Sequence, residues 1–257
     1  MSGQVHYTVA DGIGAIVFDR PDARNAMTFA MYDALASICD QIAADPCLRV
    51  VTLRGAGGAA FVAGTDIEQF RAFSGADDGI AYEARIDAQI GQLERLPVPT
   101  IAIIDGWAVG GGLAIAAACD LRIATPAAKF SVPIARTLGN CLSIANMARI
   151  IAGFGHGRTK RMLMLADAID AAEALACGFL VEVVEADALD ARVAALCADL
   201  ATYAPKTLHA VKESARRLVA ADLPEGEDLI RDCYGSQDFK IGIEAFLGKR
   251  KPVWTGG

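Results

Sequence analysis

The chain has 257 residues, 54% of them hydrophobic and 21% charged, enough to bury the core of one large domain or two small ones. Its 24 Lys and Arg against 31 Asp and Glu leave a net charge of −7, which argues against a non-specific hold on nucleic-acid phosphates. The longest stretch free of charged side chains, residues 106–119, is 14 residues long, short of the roughly 18 to 20 that a spanning helix needs, so no membrane partner is expected.

Residues 5–18 alternate around Asp11-Gly12 and read as a β-hairpin. The loop RPDARNAM leads into a helix over about 28–45, with Met31, Leu35, Ile38 and Ile42 on one face. A buried strand at 49–54, a short extended piece at 61–62, a helix over about 79–96 ended by Pro97 and Pro99, and a second buried strand at 100–104 follow. Gly110-Gly111-Gly112 opens an alanine-rich helix, and 121–124 and 129–132 read as further strands. Helices are expected at 141–152, 158–165, 170–177, 188–203, 205–219 and 239–247, with one strand at 181–184. The order implies an α/β fold with largely parallel pairing, divided at about residue 200 into a core (1–200) and a helical C-terminal region (201–257).

Seven scattered cysteines without a Cys-x-x-Cys pair, and histidines only at 6, 156 and 209, suit reduced core thiols and no metal site. The first residues lack a basic stretch followed by an apolar one, so a cytoplasmic protein without a signal peptide is expected. The surplus hydrophobicity points to contacts between copies of the chain.

Two segments carry chemistry. In Phe61-Val62-Ala63-Gly64-Thr65-Asp66-Ile67 a strand breaks at Gly64 and a short helix begins near Asp66; the ordinary reading is a helix cap. In Ile103 to Ala114 a buried strand turns through three glycines into a buried helix, without the spacing of a phosphate-binding loop. Two such helix starts facing one point would offer two N–H donors to a developing oxyanion.

The pairing of FVAGTDI with IDGWAVGGGLAIAAACDLRIAT, preceded by RPDARNAM and followed by AFLGKRKPVW, resembles the enoyl-CoA hydratase/isomerase (crotonase) superfamily over nearly the whole chain. The resemblance implies repeated ββα units, a helical C-terminal region that builds trimers or dimers of trimers, and an acyl-CoA thioester as substrate. It implies no cofactor beyond the coenzyme A carried by that substrate. The family's oxyanion N–H donors fall on Thr65 and Gly111. Ala63, Asp66 and Ile67 match its CoA-lining strip, Ala23 and Arg24 the loop beside the nucleotide, and Phe246 and Lys249 residues that reach the CoA of a neighbouring subunit.

The departures are at the two hydratase glutamates, whose places hold Ala114 and Ile134. No Asp or Glu lies between Asp120 and Asp167, so the stretch supplies no carboxylate to activate water. Polar replacements in the same region are Arg136, for a substrate carboxylate; Asn140, for a water or, as the ordinary reading, a helix cap; and Cys141, a thiol expected at a helix start whose ordinary reading, with no histidine close in sequence, is an inert small residue. Glu83 and Asp87, four apart on one helical face, offer a single acid or base, but the expected reading is a solvated face; His156 between two glycines reads as a loop residue. Double-bond isomerisation, decarboxylation and weak hydration therefore stand as the enzyme options. A non-catalytic acyl-CoA-binding protein is the alternative, and a serine peptidase ranks last because neither Ser131 nor Ser143 has a positioned histidine.

Overall fold

The computed structural model describes residues 3–257. Strands β1 (Gln4–Ala10) and β2 (Ile13–Asp19) form the expected antiparallel hairpin, with Asp11 and Gly12 both left-handed at its turn. Helix α1 (Phe29–Ala44) begins at Thr28, whose hydroxyl accepts from the Met31 N–H. Its predicted stripe of Met31, Leu35, Ile38 and Ile42 is buried.

Three units of two strands and a helix follow. They are β3 (Val50–Gly55), β4 (Ala60–Val62) and α2 (Ala76–Glu94); β5 (Thr100–Ile104), β6 (Trp107–Val109) and α3 (Gly111–Ala118); and β7 (Leu121–Ala124) and β8 (Lys129–Ser131) with the short α4 (Ile134–Thr137) and long α5 (Ile144–Met164). After them come β9 (Ile169–Asp170), α6 (Ala171–Ala176), β10 (Glu182–Val183), α7 (Leu189–Thr202), α8 (Pro205–Ala220), α9 (Glu227–Gly235) and α10 (Gln237–Leu247). The first strand of each unit enters a six-stranded sheet of order β1-β2-β3-β5-β7-β10, and the second enters a four-stranded sheet of order β4-β6-β8-β9. All pairings are parallel except β1 with β2 and β8 with β9, so the ββα repeat and the parallel character agree with expectation.

The unbroken apolar run of β5 follows from burial on both faces. Ile101 and Ile103 pack with Val50 and Ile123 against Leu189, Val193 and Cys197 of α7, while Ala102 and Ile104 point into the main core. That period-2 division makes the larger sheet the middle layer of the fold.

Four elements escape the sequence reading: β6, β9, α4 and α9. The two helices expected at 141–152 and 158–165 join end to end as α5, which kinks at Gly155 (φ 75°), and His156 lies in it, exposed, rather than in a loop. Its cap is Ser143, whose hydroxyl accepts from the Asn146 N–H. No helix among the described residues is long and apolar enough to cross a membrane, and no cluster of metal-ligating side chains is found among them.

Candidate active site

β4 and β6 are parallel neighbours, with Val62 beside Ala108, so the turns that follow them leave the smaller sheet at the same end. Each turn needs a backbone that L side chains resist. Gly64 has φ 95°, and Gly110 has φ 53° and ψ −120°. The two glycines pack backbone to backbone, and a side chain on Gly112 would overlap the Val62 carbonyl, so α3 starts directly against the end of β4. Thr65 and Gly111 are thereby brought together, and among the described residues neither N–H has a hydrogen-bond partner. Two free donors at adjacent helix starts can hold one anionic oxygen.

Both turns line a cavity of about 500 Å³. At one end are Ala23, Arg24, Ala63, Asp66, Ile67 and Phe246. The 20–27 loop is fixed there by Asn25, fully buried, which accepts from the Arg20 N–H and donates to the carbonyls of Ala56 and Ala60. The Ala63 N–H donates to the Arg24 carbonyl, joining loop and strand end. The Asp66 carboxylate is occupied, paired with Arg20 at 2.7 Å and accepting from the Glu68 N–H. Lys249 is exposed beyond α10 and does not line this cavity.

At the inner end three tyrosines and a glutamate meet. The Thr65 hydroxyl lies 3.0 Å from that of Tyr32 and 2.7 Å from that of Tyr82. Burial pushes Tyr32 up to about 12 and Tyr82 well above its ordinary value, so both stay protonated. Glu83 is 4% exposed: Oε1 accepts from the Tyr234 hydroxyl at 2.5 Å and Oε2 from the Ser143 N–H at 3.2 Å. Burial pushes its carboxyl up to about 7, opposed by the Tyr234 hydrogen bond and reinforced by Asp87. Asn140 Nδ2 donates to the Tyr234 hydroxyl oxygen at 3.1 Å, and its Oδ1 is buried without a partner. Asp87 accepts from the Ser143 hydroxyl and from Arg149, and burial raises its carboxyl. The helical face carrying Glu83 and Asp87 is thus covered by α5 and α9 and is not the solvated face expected.

The family model described as enoyl-CoA hydratase/isomerase matches residues 8–257. The chain belongs to the enoyl-CoA hydratase/isomerase family. A probable enoyl-CoA hydratase of Mycobacterium bovis is 30% identical over 95% of this chain and 94% of its own. A crotonyl-CoA hydratase of Syntrophomonas wolfei is 32% identical over 93% of each. Among solved structures, a methylmalonyl-CoA decarboxylase in complex with 2-nitronate-propionyl-CoA superposes with a TM-score of 0.89 at 26% identity, covering 98% of both chains. An enoyl-CoA hydratase/carnithine racemase from Magnetospirillum magneticum does so at 0.80 and 34%, covering 98% of this chain and 96% of its own.

In this enoyl-CoA hydratase/isomerase family member, Ala114 and Ile134 both line the cavity, so its wall is apolar at those two places. The replacements expected from 136–141 are not gathered there. Arg136 is on the exposed side of α4, away from the cavity, because the single turn from Ile134 to Thr137 turns Ile134 and Thr137 inward. Asn140 lines the cavity but caps no helix, since Ser143 does so. Cys141 lies before the helix start, its thiol within 3.5 Å of the Leu229 carbonyl; the adjacent Cys233 thiol and burial both push it up, which disfavours a thiolate. Tyr234 is not among the residues that the sequence singles out, because α9, which carries it, is short and far along the chain from the motifs it meets.

Proposed function

We propose that the protein is an acyl-CoA isomerase that moves a carbon–carbon double bond of an enoyl thioester through an enolate. The observation that carries this reading is the pair of unpartnered N–H groups of Thr65 and Gly111 at one cavity whose walls hold Ala114 and Ile134. The thioester oxygen sits between the two donors, which stabilise the negative charge as it develops. The coenzyme A moiety leaves past Ala63, Asp66 and Ile67, flanked by Ala23, Arg24 and Phe246. Tyr82 and Phe70 wall the acyl end, and the Tyr82 hydroxyl stays protonated.

Two family alternatives are less well supported. Hydration by the two-glutamate route needs acids at the places held by Ala114 and Ile134, and these supply none. Decarboxylation, suggested by the likeness to the methylmalonyl-CoA decarboxylase, asks for a group that seats a carboxylate. The cationic side chains lining the cavity, Arg20 and Arg24, belong to its outer end, and Arg20 is already paired with Asp66. The exposed Val211 and Leu218 of α8 fit the reading that copies of the chain assemble as trimers or dimers of trimers.

The test is incubation of the purified protein with 3-enoyl-, 2-enoyl- and methylmalonyl-CoA, following product masses. Unchanged mass with a shifted double bond is expected. A gain of water or a loss of CO₂ would replace the reading with hydration or decarboxylation. Binding of every ester without product would favour a non-catalytic acyl-CoA-binding protein.

A further inference from the structure

We propose that Glu83 is the single proton carrier of this cavity and that Tyr234, delivered by α9, is the positioning residue that holds its carboxyl toward the acyl group. The proposal deepens the isomerase reading and rests on it for the identity of the product.

Two lining residues bear carboxylates, Asp66 and Glu83, and no histidine or cysteine lines the cavity. Asp66 is held by Arg20 and by the Glu68 N–H at the outer end. Tyr32 and Tyr82 keep their protons, and Arg20 and Arg24 are cations. Glu83 remains, on the residue following Tyr82, whose hydroxyl touches Thr65 beside the paired N–H groups.

The Tyr234 hydroxyl and the Ser143 N–H hold one carboxylate oxygen each, which fixes the plane of the group. Glu83 also lines a second hollow of about 290 Å³ between α2, the start of α5 and α9, shared with Asp87, Ser143 and Glu227. Glu83 therefore lines both the substrate cavity and this second hollow, which gives its proton a route to solvent that the acyl group does not block. The groups facing it are Tyr82 and Asp87 of α2, Tyr32 of α1, Arg149 of α5 (paired with Asp87), Cys141 before α5, and Tyr234 and Glu227 of α9. A carboxyl pushed up to about 7 is divided between both forms at neutral pH, as a group that must take and return a proton requires.

The step balances with one proton. The Glu83 carboxylate takes a C2 proton from a 3-enoyl thioester, and the C–H electrons enter a dienolate whose oxygen lies between the Thr65 and Gly111 N–H groups. The dienolate takes the same proton back at C4, C3=C4 becomes C2=C3, and Glu83 is again a carboxylate. Nothing is oxidised and no group leaves.

The experiment reads deuterium uptake at C2 of butyryl-CoA in D₂O, which reports proton removal alone, beside isomerisation of 3-enoyl-CoA. Glu83→Gln should lose both by about 10² to 10⁴-fold while still binding acyl-CoA. Tyr234→Phe, which deletes one stabilising donor, should move the pH midpoint of C2 exchange upward by about one unit; a purely structural role would lower the rate without moving it. Full activity in Glu83→Gln would overturn the proposal and leave the isomerase reading standing. Exchange without isomerisation in the parent, lost in Glu83→Gln, would support the proposal and overturn the isomerase reading. No exchange in the parent with any ester would overturn both. Should Glu83→Gln fold poorly, Glu83→Asp and the Tyr234→Phe midpoint carry the decision.

Discussion

The Tyr234 hydroxyl donates to Glu83 Oε1 at 2.5 Å although the two residues are 151 apart in sequence. A helix near the C-terminus thus meets a residue of the cavity lined by α2 and the two glycine turns, and the protonation of that acid depends on both.

A carboxyl raised by burial ties stability to pH. Below its ordinary 4.5 both folded and unfolded chains hold the Glu83 proton; between there and about 7 only the unfolded chain has released it. Rising pH therefore favours unfolding across that window, by about 3 kcal/mol once pH passes 7. Glu83→Gln cannot ionise, so its stability relative to the parent should climb over the same interval and then level off. Urea midpoints at pH 4.5, 6 and 8 measure this; a constant difference would mean that Glu83 titrates normally.

Thr65 has two separable parts. Thr65→Val keeps the N–H and removes the hydroxyl that meets Tyr32 and Tyr82, and should reduce kcat by less than about tenfold. Thr65→Pro deletes the N–H and should cost about 10² to 10³ in kcat. Equal kinetics for the two variants would remove the N–H from the mechanism.

Ala114 and Ile134 form apolar wall where the family resemblance places acids. Ala114→Glu with Ile134→Glu should add hydration of crotonyl-CoA, seen as loss of enoyl-thioester absorbance, and lower stability by about 2 to 5 kcal/mol through carboxylate burial. Unchanged products in a folded double variant would show that those positions do not reach the double bond.

Asn25 serves three backbone groups at once. Asn25→Ala strands a buried N–H and carbonyls and should destabilise the chain by about 2 to 4 kcal/mol, read from denaturant midpoints. An effect under about 0.5 kcal/mol would show that the loop reorganises freely.

Local signals are the legible ones. The hairpin follows from Asp11-Gly12, α1 from a four-residue apolar stripe, and the two glycine turns from residues that tolerate a backbone no side chain fits. Glu83 is not legible, because a charged residue on a helix reads as solvated until the elements that cover it are known; its cover comes from Ser143 and Tyr234. Arg136 and the expected start of the helix at Cys141 mislead for the converse reason. The extra turn of α4 sets Arg136 outward, and capping by Ser143 moves the helix start three residues past Cys141, shifts that depend on φ/ψ at single residues. β9, two residues long, has too few positions to show any period.

The bond from Tyr234 also orders events in time. During synthesis the two glycine turns and the wall around Ala114 emerge more than one hundred residues before α9, and until then Glu83 has no phenol to meet and no helix over it. A nascent chain therefore carries both glycine turns before it carries the buried acid, and the titration of a single side chain becomes a clock for the docking of about the last thirty residues.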